Sequence, residues 1–124
     1  MAKVLLVEDD DLLRELYDLK LHQEGFDVVT ATNGLEGLNE ALSFKPDIIL
    51  LDMMMPTMTG LEFLAAYRTK TSEPGTVLVL SNKSTTEDVK TAKVLGATDY
   101  LVKSRFTPDG IIAEIRKYLP RASV

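Results

Sequence analysis

The stretch DIILLDMMMPTMTG, Asp47 to Gly60, decides the fold. Four apolar residues, Ile48 to Leu51, form an unbroken run, the pattern of a strand buried on both faces. The run ends on a carboxylate, Asp52, followed by three methionines and a proline. An ionised carboxylate leaving a dry sheet must be solvated, paired or bound to a cation. The rest of the chain has to supply that partner.

Outward from this run the chain alternates strands and helices. The central strand is predicted over Asp47–Leu51, with others over Lys3–Val7, Val28–Ala31, Val77–Leu80 and Asp99–Val102. Asp11 reads as the cap of a first helix that carries Leu12, Leu16 and Leu19 on one face and stops at Gly25. A second helix carries Leu35, Leu38 and Leu42 and stops before Pro46; a third carries Leu61, Leu64 and Ala65. Ser84 and Glu87 have the spacing of a capping box for a fourth, which holds Val89, Ala92 and Leu95 and ends at Gly96. Thr107-Pro108 opens a fifth with Ile111, Ile112, Ile115 and Leu119. Five such units imply a doubly wound parallel sheet with helices on both faces.

Composition narrows the function. At 124 residues, with no linker or low-complexity segment, residues 1–124 read as one domain with a real core. A net charge of −5 argues against binding nucleic acid or an anionic membrane by bulk electrostatics. There is no cysteine, which removes disulfides, thiolate chemistry and cysteine-based zinc sites. No apolar run approaches the roughly 18 residues of a membrane span, and the N-terminus lacks a signal-peptide pattern. A cytoplasmic location is the expectation.

The residues that follow each strand carry the chemistry. Glu8-Asp9 follows Val7, Asp52 follows Leu51, Ser81-Asn82 follows Leu80, and Lys103 follows Val102. In a parallel sheet these carboxyl ends share one edge, where open α/β proteins place their sites. Three converging carboxylates repel one another unless a cation neutralises them. Oxygen-only ligands favour a hard ion such as Mg²⁺, which leaves room for phosphate oxygens. Lysine and hydroxyl supply the charge and hydrogen bond that a phosphoryl group needs. Asp52, alone at the end of the central strand, is the candidate nucleophile for an acyl phosphate.

Taken in order, these residues resemble the receiver domain of two-component response regulators, the CheY-like family, over essentially the whole chain. The matching segments are VEDD with the acidic pair Glu8 and Asp9, and LLDMMMPTMTG with Asp52, Pro56 and Gly60. LS with Ser81, and DYLVK with Tyr100 and Lys103, complete them. The resemblance implies the strand order 2-1-3-4-5 with five flanking helices. It implies a switch rather than an enzyme with turnover: the phosphohistidine of a sensor histidine kinase, or of a phosphotransfer protein, donates to Asp52. Mg²⁺, with Mn²⁺ as a substitute, is then held by Asp9, Asp52 and the backbone carbonyl of Met54, while Glu8 acts through water. Lys103 pairs with the phosphoryl group, Ser81 swings toward it and Tyr100 moves inward. The face of the fourth helix, fifth strand and fifth helix then meets a downstream target, an output domain or a second phosphorylated copy. No direct contact with nucleic acid or membrane is implied.

Three departures accompany the resemblance. Ser104 stands where the family usually has a proline after the lysine, and a trans Lys103–Ser104 bond is expected because a cis bond there costs about 2.5–4 kcal/mol. Asn82 replaces a smaller residue and narrows the approach to Asp52. Met54 and Lys83 occupy the positions that tune phosphoryl lifetime, and neither suits the orienting of water.

Other readings fit less well. A haloacid-dehalogenase phosphatase needs a second Asp two residues after the nucleophile, where this chain has Met54. A flavin binder needs a donor-rich loop after the first strand, and Glu8 to Asp11 would repel its phosphate. A pseudo-receiver that only binds would ordinarily have lost Asp52 or Lys103. Met53, Met54 and Met55 read as space-filling rather than copper ligands, since no Cys or His accompanies them. His22 reads as solvent-facing, Asp10 and Asp11 as helix-start residues, and Tyr17, Tyr67 and Tyr118 as helix packing or surface.

Overall fold

A computed structural model describes residues 2–82 and 85–119. The elements run β1 (Lys3–Val7), α1 (Asp11–Gln23), β2 (Asp27–Ala31), α2 (Gly34–Phe44), β3 (Ile48–Asp52), α3 (Gly60–Lys70), β4 (Thr76–Ser81), α4 (Thr86–Val94), β5 (Asp99–Val102) and α5 (Pro108–Tyr118). A 3₁₀ turn over Lys103–Arg105 joins β5 to α5. Every strand pair is parallel and the order is β2-β1-β3-β4-β5. The doubly wound architecture inferred from the sequence is therefore the one observed. None of the described helices is long and apolar enough to cross a membrane.

Period-two alternation sorts the strand residues between two cores. Leu5, Val7, Ile49, Leu51, Val77 and Val79 face Leu38, Ala41, Phe63, Leu64, Tyr67 and Ala92, so α2, α3 and α4 cover that side. Val4, Leu6, Ile48, Leu50, Leu78 and Leu80 face Tyr17, Leu21, Ile111, Ile112 and Ile115 of α1 and α5. Because β3 is buried on both faces, its sequence cannot alternate with polar residues. Full burial of each such side chain contributes about 1.5–3 kcal/mol.

Several local expectations need correction. β3 ends one residue later than predicted, because Asp52 still pairs with Leu80 across the β3–β4 ladder. Asp52 therefore sits inside the sheet. Asp10, not Asp11, caps α1, its side chain accepting from Leu13 N–H at 3.1 Å. The stripe of Leu12, Leu16 and Leu19 faces outward, at 80%, 39% and 58% exposure. Leu13, Tyr17 and Leu21 face the sheet instead. In α2 Leu38 is buried but Leu35 is exposed. In α3 the core is made by Phe63, Leu64 and Tyr67 rather than Ala65, and the two rings stack with centroids 5.6 Å apart. For α4 the cap is Thr85, which accepts from Asp88 N–H at 3.1 Å. Ser84 lies outside the described residues.

β2 starts one residue earlier than predicted, at Asp27, and β4 extends one residue further at each end, over Thr76–Ser81, whereas two helix boundaries match the sequence signals. Gly25 takes φ +89° just past α1, a conformation that L side chains rarely adopt. Thr107 accepts from Gly110 N–H at 3.1 Å and Pro108 opens α5. The Lys103–Ser104 bond is trans, like the other described peptide bonds.

Candidate functional site

Alternation also aims the polar residues at the strand ends. Asp52 has the parity of Ile48 and Leu50, so it points to the α1–α5 side of the sheet. Glu8 N–H continues the ladder to Ala31 O at 3.0 Å, which gives Glu8 the parity of Val4 and Leu6. At this edge a cavity of about 340 Å³ is lined by Glu8, Asp9, Asp10, Leu13, Asp52, Met54, Ser81, Asn82 and Lys103. Residues from four separate segments, Glu8 and Asp9, Asp52 and Met54, Ser81 and Asn82, and Lys103, thus meet around one volume. A larger cleft of about 750 Å³ lies at the amino ends of β3 and β4, lined in part by Lys45, Asp47, Lys70 and Glu73. Volume does not locate the site; the convergence of buried ionisable groups does.

Within the cavity Glu8, Asp52 and Ser81 are buried and Asp9 is exposed. Carboxylate oxygens of Glu8, Asp9 and Asp52 lie within 4.8 Å of one another. Lys103 enters between two of them, with Nζ 2.8 Å from Glu8 Oε1 and 3.5 Å from Asp52 Oδ1. The 3₁₀ turn that follows β5 thus delivers Lys103 to the cluster with Ser104 behind it. Asp52 Oδ1 also accepts from Met54 N–H at 3.3 Å, which ties the start of the β3–α3 loop to the carboxylate. The loop returns tightly, with Gly60 N–H bonded to Met53 O at 3.0 Å. A Cβ at Gly60 would lie 2.9 Å from Met53 Cα and 3.0 Å from Asp52 O, so only glycine lets α3 start this close.

Crowding raises the Asp52 carboxyl from 3.8 to about 7. Burial is the main cause, followed by the hydrogen bond and negative charge of Glu8; Lys103 pulls the other way, and Asp9 adds a further push upward. For the Lys103 ammonium, burial alone would pull downward. Its hydrogen bond to Glu8 and the charges of Asp52 and Glu8 outweigh that and hold it above its ordinary value. With all three carboxylates ionised, one ammonium leaves two negative charges uncompensated. That residual charge, presented by oxygen donors alone, suits a hard divalent cation.

Among the other predicted residues, Met54 exposes 68% of its surface at the cavity rim, while Met53 and Met55 are buried in the core as filler. Asn82 is exposed at the rim. Tyr100 is packed inward, 9% exposed, in the same core cluster as Ala92 and Ala97. Lys83 lies outside the described residues. His22 is exposed beside Asp18, as read from the sequence. Tyr118 donates to Asp99 Oδ2 at 2.8 Å.

Two residues near the site, Leu13 and Arg14, were not singled out by the sequence, and Tyr17 was read only as helix packing or surface. Leu13 lines the cavity, and Arg14 Nη1 donates to the Glu8 main-chain carbonyl at 3.0 Å. Tyr17 is buried one turn further along α1, with its phenol pushed up by burial and drawn back by the nearby Lys103 charge. The spacing Leu13, Tyr17, Leu21 carries a signal, but the leucine stripe beside it is equally periodic.

Comparison with known proteins agrees with this topology. The response regulator receiver domain family matches residues 4–116. Response regulator ArlR of Staphylococcus aureus is 37% identical over 121 residues, covering 98% of this chain and 54% of that protein. The chain thus spans about half the length of that relative. The chemotaxis protein CheY4 of Vibrio cholerae superposes with a TM-score of 0.89 at 35% identity, covering 96% of this chain and 99% of that one. The signal receiver domain of the putative response regulator NarL from Mycobacterium tuberculosis gives 0.86 at 30%, with 94% of both chains covered. The chain belongs to the response regulator receiver domain family of two-component signalling.

Proposed function

We propose that residues 1–124 form one receiver domain that works as a phosphorylation switch with Asp52 as its phosphoacceptor. The observation that carries this is the placement of Asp52, buried at the end of the central strand, beside Glu8, Asp9 and the Lys103 ammonium. In the proposed transfer an Asp52 oxygen attacks the phosphorus of a donor phosphohistidine. A P–O bond forms as the P–N bond breaks, and the imidazole nitrogen leaves with the electron pair. Asp9, Asp52 and the Met54 carbonyl, with Glu8 acting through water, would hold Mg²⁺ or Mn²⁺, which would supply positive charge to offset that of Asp52 and the phosphoryl group.

The chain's own residues do the remainder. Lys103 provides a second positive charge, already held in place by Glu8. The Ser81 hydroxyl closes on the phosphoryl group, and the phosphorylated form favours inward packing of Tyr100, an arrangement this structure already has. The α4–β5–α5 face then changes its affinity for a target, an output domain or a second copy. Input comes from a sensor histidine kinase or a phosphotransfer protein, in the cytoplasm. Asn82, Met54 and Lys83 set the lifetime of the acyl phosphate.

The test is incubation with acetyl phosphate and Mg²⁺, followed by intact mass. One alkali-labile phosphoryl group is expected, and it should be lost in Asp52→Asn; undiminished labelling of that variant would exclude Asp52. Steady-state phosphate release separates a switch from a phosphatase, since a switch shows only slow loss of its own phosphoryl group.

A further inference from the structure

Four consecutive acidic residues, Glu8 to Asp11, span the turn between β1 and α1 and the first residue of the helix. Like charges this close repel, and a turn that carries them needs fixed positive charge and donors to keep one shape. Lys103 serves one side through Glu8 Oε1. Arg14 serves the other. Its Nη1 donates to the Glu8 main-chain carbonyl at 3.0 Å, and its Nη2 reaches Asp11 Oδ1 at 2.6 Å. The Arg14 side chain is only 17% exposed although it stands in the first turn of α1.

The Glu8 carbonyl has a reason to need this donor. β1 pairs with β2 as far as Val7 and Ala31, and Glu8 N–H adds one more bond to Ala31 O. The next carbonyl falls past the ladder and takes its hydrogen bond from Arg14. From there the turn closes on itself. Glu8 Oε2 accepts from Asp10 N–H at 3.2 Å, and Asp10 Oδ1 accepts from Leu13 N–H at 3.1 Å. Asp9 lies between two anchored residues, so the direction of its carboxylate follows from the shape of the turn.

The geometry points to Arg14 as a positioning residue of the phosphorylation site: it clamps the β1–α1 turn through the Glu8 carbonyl and Asp11, and so aims the Glu8 and Asp9 carboxylates at Asp52. This rests on the Mg²⁺ reading given above. It also predicts an effect opposite in sign to simple electrostatics. A guanidinium acting only as a nearby positive charge opposes Mg²⁺, so its removal would tighten binding. Loss of a clamp weakens it.

The experiment measures Mg²⁺ affinity by titration calorimetry, with amide hydrogen exchange at Asp10 in the metal-free protein, for wild type, Arg14→Lys, Arg14→Met and Asp9→Asn. Lysine keeps the charge but lacks the planar fork that spans the Glu8 carbonyl and Asp11. Both Arg14 variants should bind Mg²⁺ about tenfold more weakly and exchange the Asp10 amide faster. A lowered melting temperature with unchanged affinity and unchanged Asp10 exchange would mark Arg14 as merely structural and overturn the assignment. Tighter binding in Arg14→Met with an unchanged Arg14→Lys would overturn it in favour of bare charge. If wild type and Asp9→Asn bind Mg²⁺ equally, the metal reading fails. Faster Asp10 exchange in Arg14→Lys would then still support the clamp, and unchanged exchange would end it too.

Discussion

Replacing Asp52 with asparagine should remove the phosphoacceptor and at the same time make the metal-free protein more stable. The folded carboxyl titrates at about 7, while an unconstrained one titrates near 3.8. The folded state therefore holds a proton that the unfolded state has released, and stability falls as pH rises from about 4 to about 7. Above that window the ionised group costs the fold ~4 kcal/mol, at about 1.36 kcal/mol per pH unit. Asparagine avoids most of that cost, in which the attraction to Lys103 is already counted, and keeps an acceptor for Met54 N–H. A net gain of about 3–4 kcal/mol at pH 8 follows, or roughly 10–15 °C in melting temperature for a domain of this size. The assay is urea unfolding in EDTA at pH 8 and pH 5, with wild type and variant compared at each. The advantage should shrink to about 1 kcal/mol at pH 5, where the folded wild-type carboxyl is mostly protonated. Adding Mg²⁺ at pH 8 should then stabilise wild type and do little for the variant. A variant no more stable than wild type at pH 8, or one whose advantage ignores pH, would refute the claim that Asp52 is held in electrostatic conflict.

Three further outcomes follow from the geometry. Gly60→Ala should destabilise the protein by about 1–3 kcal/mol, read by urea unfolding, because its Cβ would press on the backbone of Met53 and Asp52; a loss under about 0.5 kcal/mol would show that α3 can shift freely. Met54→Asn should hasten the loss of phosphate in a decay time course, since an amide at the cavity rim can orient the attacking water and a thioether cannot; equal decay would remove Met54 from that role. Ser81→Ala should still accept phosphate but fail to shift hydrogen exchange around Tyr100, and a full wild-type response would route the switch through other residues.

Much of the protein is set by short-range rules that act within the chain. The unbroken Ile48–Leu51 run can only be a strand covered on both sides, and the polar residues after four strands must share an edge once the strands are parallel. Thr107-Pro108 and Gly25 mark helix ends because caps and positive φ are local requirements. Other features depended on what packs against what. In α1 the Leu12, Leu16, Leu19 stripe and the Leu13, Tyr17, Leu21 stripe have nearly the same period, and only docking against Leu6 and Ile111 chooses the second. Asp52 counts as part of β3 only because β4 runs one residue further and pairs Leu80 with it. The contact of Arg14 with the Glu8 carbonyl depends on where the β1–β2 ladder stops. Local sequence carries the periods, the caps and the order of chemical groups; the choice between equally periodic faces, the ends of ladders and the partners of buried charges come from long-range burial, which no single segment encodes.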